Sequence, residues 1–334
     1  MKIKHLALIL FSTLGLASCV TTTFIDYKAV SVPEEGGTQF TQLTKEEDFA
    51  VGPAVNEEYT TIRWYAAPLI AISPDGNELA FLGFKNNTTN VYLKNTRGGT
   101  SLIQRTFRNK IFDVSYSQDG KFLLFTENVD GNLNIYQINS KEGSAVQQIT
   151  TSTSDEVGGI YGYDNKIYFS KAENATNSDG TATKRYYVWG FDVTSSLFTQ
   201  FTEGFTPAPL PDKKSVVITR NNKTSGNGEI WLIDLEKGTE MQILANPKIA
   251  YSSPQVSPDG KKIVCVGISP KTDNKPANLD IFTVNIDGTG LTQLTFHPGH
   301  DVSPKWSPDA KSIYFLSQRA NEKRAYCVWN MNVR

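Results

Sequence analysis

Ser257-Pro258-Asp259-Gly260, followed by the apolar run Ile263-Val264-Cys265-Val266, reads as a tight turn feeding a strand. Pro presets the backbone of such a turn, and Asp and Gly tolerate the angles that follow. The same unit recurs at Ser73-Pro74-Asp75-Gly76, Ser117-Gln118-Asp119-Gly120 and Ser307-Pro308-Asp309-Ala310, with worn copies at Tyr163-Asp164-Asn165-Lys166 and Leu210-Pro211-Asp212-Lys213. The aspartates Asp75, Asp119, Asp164, Asp212, Asp259 and Asp309 are 44, 45, 48, 47 and 50 residues apart. A period in the mid-forties built only of strands and turns implies one four-stranded blade per repeat. The expected fold is all-β: a six-bladed β-propeller of four-stranded antiparallel blades.

The clearest copy, blade 5, predicts strands over 252–257, 262–267, 279–286 and 291–295, with Asp287-Gly288 as a hairpin signal. By alignment the third strands are Val91-Tyr92-Leu93, Asn134-Ile135-Tyr136, Val188-Trp189-Gly190-Phe191, Ile230-Trp231-Leu232-Ile233, Ile281-Phe282-Thr283-Val284 and Tyr326-Cys327-Val328-Trp329. Outer strands end at Thr106, Thr150, Thr202, Leu244 and Thr295. The sixth blade reaches Arg334 without an outer strand. Near the start, Gln39-Phe40-Thr41-Gln42-Leu43-Thr44 resembles Gly290-Leu291-Thr292-Gln293-Leu294-Thr295. The N-terminal segment is therefore expected to close the ring as the fourth strand of blade 6, leaving no open edge at the seam. This gives a propeller over 38–334.

Lys2 and Lys4 precede an apolar run, Leu6 to Leu16, that is too short to span a bilayer. Leu16-Ala17-Ser18-Cys19 then resembles a bacterial lipobox. The resemblance implies a signal peptide over 1–18, cleavage before Cys19, and lipid on the Cys19 thiol and new amino group. Two or more acyl chains give stable anchoring, at about 0.8 kcal/mol per buried methylene. Residues 19–37 would form the tether. Val20 is not the aspartate associated with inner-membrane retention, and no acidic residues follow it directly. The expected location is thus the bacterial cell envelope, anchored to the outer membrane and facing the periplasm.

The chain has 33 Lys+Arg against 34 Asp+Glu, and no run of Lys and Arg. Nucleic acid is not indicated as a partner, and membrane contact is expected only through the lipid. Cys265 and Cys327 lie in apolar strands of neighbouring blades; the compartment permits a disulfide, but buried thiols packing as small hydrophobes are the expected state. No Cys/His spacing suits zinc, so no metal or other cofactor is expected.

Asp301-Val302-Ser303-Pro304-Lys305-Trp306-Ser307-Pro308-Asp309 and Asp287-Gly288-Thr289-Gly290-Leu291-Thr292-Gln293-Leu294-Thr295 resemble the repeat of TolB-type propellers, relatives of the WD-repeat class. The resemblance covers roughly 38–334. It implies a six-bladed propeller, usually periplasmic, that binds proteins or ligands through its wide faces and channel. Little room for a separate α/β domain precedes residue 38, so a role outside the Tol–Pal system is expected. Similar propellers precede prolyl-oligopeptidase-type hydrolases, but no Gly-x-Ser-x-Gly elbow occurs here.

In a propeller the first-to-second and third-to-fourth turns share one end. The second-to-third hairpins and the links between blades share the other, and here these vary, with inserts at 171–185, 221–228 and 268–278. Variable loops on a rigid scaffold carry recognition. The candidate binding residues are Arg63, Trp64 and Tyr65 before blade 1, Arg108 and Lys110 before blade 2, Tyr161 and Tyr163 in blade 3, and His300 and Asp301 in blade 6. Aromatics with Arg are enriched at hot spots. Blade packing is the commoner role for residues such as Trp64 and Tyr163, and amide capping for one such as Asp301. His297 and His300 share one link but want a third ligand before they hold a metal, as some pectic propeller lyases do. The acidic link residues Asp48, Asp155, Glu156 and Asp301 would need pairing across the channel to hydrolyse a glycan.

The expected function is a non-catalytic lipoprotein binding an envelope protein or cell-wall component. A glycan-binding lipoprotein is the alternative, and a propeller glycan hydrolase or lyase a more distant one. Metabolic labelling with a clickable palmitate is expected to mark the wild-type chain and not Cys19→Ala; equal labelling of both would contradict the lipobox.

Overall fold

The computed structural model describes residues 29–32, 38–45, 68–142, 145–177, 179–272, 277–319 and 326–333. Six antiparallel sheets form the ring. Their innermost strands are Ile70–Ile72, Ser115–Tyr116, Glu156–Tyr161, Phe205–Pro209, Ala250–Val256 and Asp301–Trp306. Blade 5 continues through Lys262–Ser269, Asn278–Asn285 and Thr292–Gln293, close to the predicted limits.

The repeated Ser-x-Asp turn is a hydrogen-bonded unit. The Ser73 hydroxyl donates to Asp75 at 2.6 Å and accepts from the Glu78 amide at 2.9 Å, while Asp75 accepts from the Asn77 amide at 3.1 Å. Ser117, Ser257 and Ser307 repeat this with Asp119, Asp259 and Asp309. The hydroxyl and amide donors hold the Asp75 and Asp119 carboxyls down to about 2. The repeat aspartates therefore build turns. In all six blades the residue just past the third strand donates its amide to this first turn: Thr96, Ser140, Val193, Leu235, Ile286 and Val333. Gly120, at φ +71°, seats against Pro74 of the preceding blade, where an added Cβ would sit 3.3 Å from the ring. Gly76 against Pro308 and Gly260 against Pro211 repeat the contact.

At the opposite end the chain repeats Gln-x-Thr. The threonine hydroxyl accepts the amide of a buried third-strand residue: Thr106 from Val91, Thr150 from Ile135 and Thr295 from Ile281, at 2.9–3.0 Å. Each glutamine two residues earlier, Gln104, Gln148 and Gln293, donates to the carbonyl of that threonine. These latches replace backbone pairing where the outer strand peels away.

The N-terminal segment makes the same latch. Thr38–Gln42 pairs with Cys327–Asn332, Gln42 donates to the Thr44 carbonyl, and Val328 donates to the Thr44 hydroxyl at 2.8 Å. The fourth strand of blade 6 is therefore supplied by the N-terminus. Phe40 and Leu43 are buried in the largest hydrophobic cluster, which runs through blades 5, 6, 1 and 2. Within the stretch expected as tether, Ala29–Val32 adds a fifth strand, with Ala29 opposite Thr41 and Val32 opposite Thr38. Its β-branched valines suit a strand, and pairing covers an edge that Thr38–Gln42 would otherwise expose. The tether expected over 19–37 thus overlaps a strand at Ala29–Val32.

Cys265 and Cys327 are both buried, and Cys265 is a free thiol. Cys265 packs opposite Phe282, and burial pushes its thiol up to about 12.

Thr44→Val keeps the shape of the latch but leaves the buried Val328 amide without its acceptor. A loss of about 1–3 kcal/mol is expected from urea unfolding, comparable to Thr106→Val in blade 1. A change within about 0.5 kcal/mol, the range of neutral surface substitutions, would show that the segment is not clamped.

Candidate functional site

Hydrogen bonds between hairpins and links define the link end of the ring. Asn90 bridges to the Arg108 carbonyl, Asn132 to Ser152, Asn227 to Asn246, and Asn278 to His297. At this end the first residue of an inner strand is acidic in two opposite blades. In blade 3, Glu156 lies 3.3 Å from Lys171, whose ammonium sits 4.9 Å from the Trp189 ring centre. In blade 6, Asp301 accepts from Arg319 at 2.8 Å, and that guanidinium lies 4.1 Å from the ring centre of Phe40. Blade 2 carries a related cluster: Arg108 pairs with Glu127 at 2.7 Å and lies over Tyr136. Such stacks use cation–π attraction together with ion pairing.

The sequence-predicted residues are divided between the two ends. Arg108, Lys110, His300 and Asp301 lie at the link end. Tyr161 and Tyr163 do not, because the strand Glu156–Tyr161 runs away from that end and Tyr163 sits in the first turn. Tyr161 instead donates to Gln137 at 2.5 Å, and burial raises both phenols, Tyr161 to about 12. Arg63, Trp64, Tyr65, Asp48 and the lipid-attachment candidate Cys19 fall outside the described residues. Asp301 is fully buried against Arg319, so it acts as an internal clamp. Lys110 is exposed, and its carbonyl accepts from the Asn128 amide. The His300 ring meets the Tyr326 hydroxyl at 3.2 Å, and His297 accepts from the Gly299 amide. Among the described residues, no three His, Cys, Asp or Glu converge as a metal site. Asp155, Glu156 and Asp301 each have a cationic partner, Lys184 for the first. Trp189, Trp231 and Trp329 carry Lys171, Arg220 and Arg319 on their rings, so those faces are occupied.

The sequence reading missed the channel. Four inner strands shift register at a residue with positive φ: Gly158, Thr206, Ser253 and Ser303. The last three each precede a proline, and left-handed non-glycine residues cost on the order of 1–3 kcal/mol. These bulges turn backbone amides towards neighbouring blades. Gly158 donates to Asp113 of blade 2 at 2.8 Å and Thr206 of blade 4 to the Ser170 hydroxyl of blade 3 at 3.0 Å, while the Ser303 hydroxyl of blade 6 accepts from the Leu69 amide of blade 1 at 2.8 Å. Lys305 follows one bulge. Its ammonium donates to Gln255 of blade 5 at 2.8 Å and feels the charge of Asp113 in blade 2. Blades 5 and 2 face each other across the ring, so the Lys305 head lies near the axis. A lysine inside Ser-Pro-Lys-Trp-Ser-Pro was the available signal, because the quasi-equivalent positions Ala71, Ser115, Ile160, Ala208 and Gln255 are all uncharged.

Residues 197–333 match the family model described as the TolB beta propeller domain. The structure resembles that of TolB from Acinetobacter baumannii, with a TM-score of 0.53 and 18% identity over 79% of this chain and 54% of that one. It also resembles oligogalacturonate lyase from Vibrio parahaemolyticus, with a TM-score of 0.61 and 12% identity over 92% of this chain and 97% of that one. The chain is a six-bladed β-propeller, and its residues 197–333 are similar to the TolB beta propeller domain. A 62-residue stretch is 39% identical to dipeptidyl-peptidase 5 of Porphyromonas gingivalis, covering 19% of this chain and 9% of the relative. At these identities the structural likenesses speak for the fold alone.

In this ring, desolvation dominates the channel charges. Burial pushes Lys305 down to about 7 from an ordinary 10.5, and nearby Asp113 opposes this only partly. Burial pushes Asp113 up, while hydrogen bonds from Thr126 and Gly158 restrain it. Between pH 7 and 10.5 the unfolded chain binds more protons at Lys305 than the folded chain does. This group therefore makes stability rise with pH across that window and adds no slope below it. Lys305→Met is expected to remove that rise and to gain a few kcal/mol at pH 7, read from urea midpoints at several pH values. A wild-type slope in the variant would contradict a desolvated channel lysine.

Proposed function

We propose that the chain is a lipid-anchored envelope protein that binds a protein partner through the link end of its propeller. The observation that carries this is the hairpin of blade 3. Its strands, Lys166–Thr176 and Ala182–Asp192, are 11 residues long, against eight for the matching strands of blades 1, 2 and 5. They pair to the tip, with Thr176 opposite Ala182. The inner strand accompanies them only as far as Lys171 and the outer only as far as Tyr187. Beyond those points the hairpin continues as a two-stranded arm, held at its base by the Ala172 amide on the Asp155 carbonyl and the Gly204 amide on the Tyr186 carbonyl.

The arm is exposed at Asn174, Thr176, Lys184 and Arg185, with Tyr186 and Tyr187 half-buried at its base. Lys184 reaches Asp155 in the neighbouring link at 3.0 Å, which braces the arm. A preformed arm loses little conformational entropy on binding, and its strand edges suit β-augmentation by an extended partner segment. The carboxylates of the clusters below it each lie against a cation of the same blade, which favours the arm as the recognition element. The lipid anchor follows from the lipobox resemblance of Leu16-Ala17-Ser18-Cys19.

In-cell crosslinking of the acylated protein from its own host is expected to yield a stoichiometric protein partner. Truncation of Lys184 and Arg185 to Ala should lose that partner and shift unfolding by no more than about 0.5 kcal/mol. Recovery of the chain alone, or an unchanged partner in the double variant, would contradict the reading.

A further inference from the structure

Two phenylalanines are exposed at the link end: Phe107 at 81% and Phe296 at 53%. They occupy the same place in their blades, directly after the latch threonines Thr106 and Thr295. Phe296 follows blade 5 and Phe107 follows blade 1. Between them, after the equivalent Thr44 of blade 6, stands the exposed Lys45.

Blade 6 is also where the chain leaves for its N-terminus. Third strands run from the hairpin end to the turn end, so Thr38–Gln42 runs back towards the links and Ala29–Val32 runs away from them. Ala29, opposite Thr41, therefore sits at the link end. From there, ten residues back to Cys19 reach at most about 35 Å. An eight-residue strand is about 26 Å tall, so bringing the turn end to a bilayer would consume most of that reach along the side of blade 6. Bringing the link end there consumes little.

We propose that the link-end rim of blades 5, 6 and 1 rests on the lipid surface that holds the anchor, with Phe107 and Phe296 in the headgroup–acyl boundary. This rests on the lipid-anchored reading above. Exposed aromatic rings flanking a tether add interfacial burial to the acyl chains, and the Lys45 stem can lie along the interface with its ammonium at phosphate level. Blade 3 lies opposite blade 6 in a six-membered ring, so a tilt that seats Phe107 and Phe296 lifts the projecting hairpin away from the lipid.

The test uses the full acylated chain in liposomes of phosphatidylethanolamine and phosphatidylglycerol. A spin label is placed in turn at F107C, F296C and, at the turn end, K141C. Cys265 and Cys327 are buried, so labelling goes to the introduced thiol. Oxygen-to-nickel-chelate accessibility is expected to rise several-fold at 107 and 296 relative to the unacylated Cys19→Ala background, and to stay aqueous at 141. Aqueous values at 107 and 296 in a chain shown by mass to be acylated would overturn the orientation alone. Insertion at 141 would reverse it. A mature chain carrying no acyl mass would overturn the anchor, and the orientation with it.

Discussion

The ring depends on one seam. Blade 6 is completed by Thr38–Gln42, a strand separated in sequence from its partner Cys327–Asn332 by nearly the whole chain. Few hydrogen bonds cross it, among them Leu43 to Val328 and Val328 to Thr44, both at 2.8 Å. Burial supplies the rest. Phe40 is fully buried and edge-on to Phe315, with the Arg319 guanidinium over its ring. A buried side chain of this size contributes about 1.5–3 kcal/mol. Arg319 is in turn fixed by Asp301 and Ser317. The buried ion pair of blade 6 thus clamps the N-terminal strand, and removing either partner would leave a buried charge uncompensated. Inside the ring, Leu69 donating to Ser303 joins blade 1 to blade 6, so the seam is closed at both radii.

The repeat was legible because turns are written locally. Ser-x-Asp and Gln-x-Thr name the donors and acceptors that the geometry uses, within two to five residues of one another. The closing strand was legible for the same reason, since Gln42-Leu43-Thr44 copies Gln293-Leu294-Thr295. What depends on contacts between blades was not. Nothing near Asp301 announces that Arg319, beyond a turn and a strand, will bury it. Nothing near Tyr161 shows which way its strand runs, so both tyrosines of blade 3 were read at the wrong end. The channel cluster joins residues 113, 255 and 305 from three blades, a juxtaposition that only the ring creates. The positive-φ residues ahead of Pro207, Pro254 and Pro304 defy local expectation, because a residue before proline prefers extended backbone.

The molecule separates its tasks by radius and by blade. The inner ring holds a desolvated lysine and aspartate whose hydrogen bonds reach into neighbouring blades. The middle of each sheet carries an aromatic third-strand residue, such as Tyr136 opposite Phe125 or Trp329 opposite Phe315. Variation is confined to the hairpins and links, where the blade 3 hairpin extends on one side of the ring and the N-terminal edge of blade 6 lies on the other. On the proposals made above, a partner and a membrane would be engaged from opposite sides of the ring.

The most direct measurement of the closed ring is amide hydrogen exchange on the full chain. Leu43 and Val328 should exchange as slowly as Arg105 and Val91, which make the same latch inside blade 1. Exchange of Leu43 and Val328 at the rate of surface loops, while Arg105 and Val91 stay protected, would mean that the N-terminal strand does not hold the ring together.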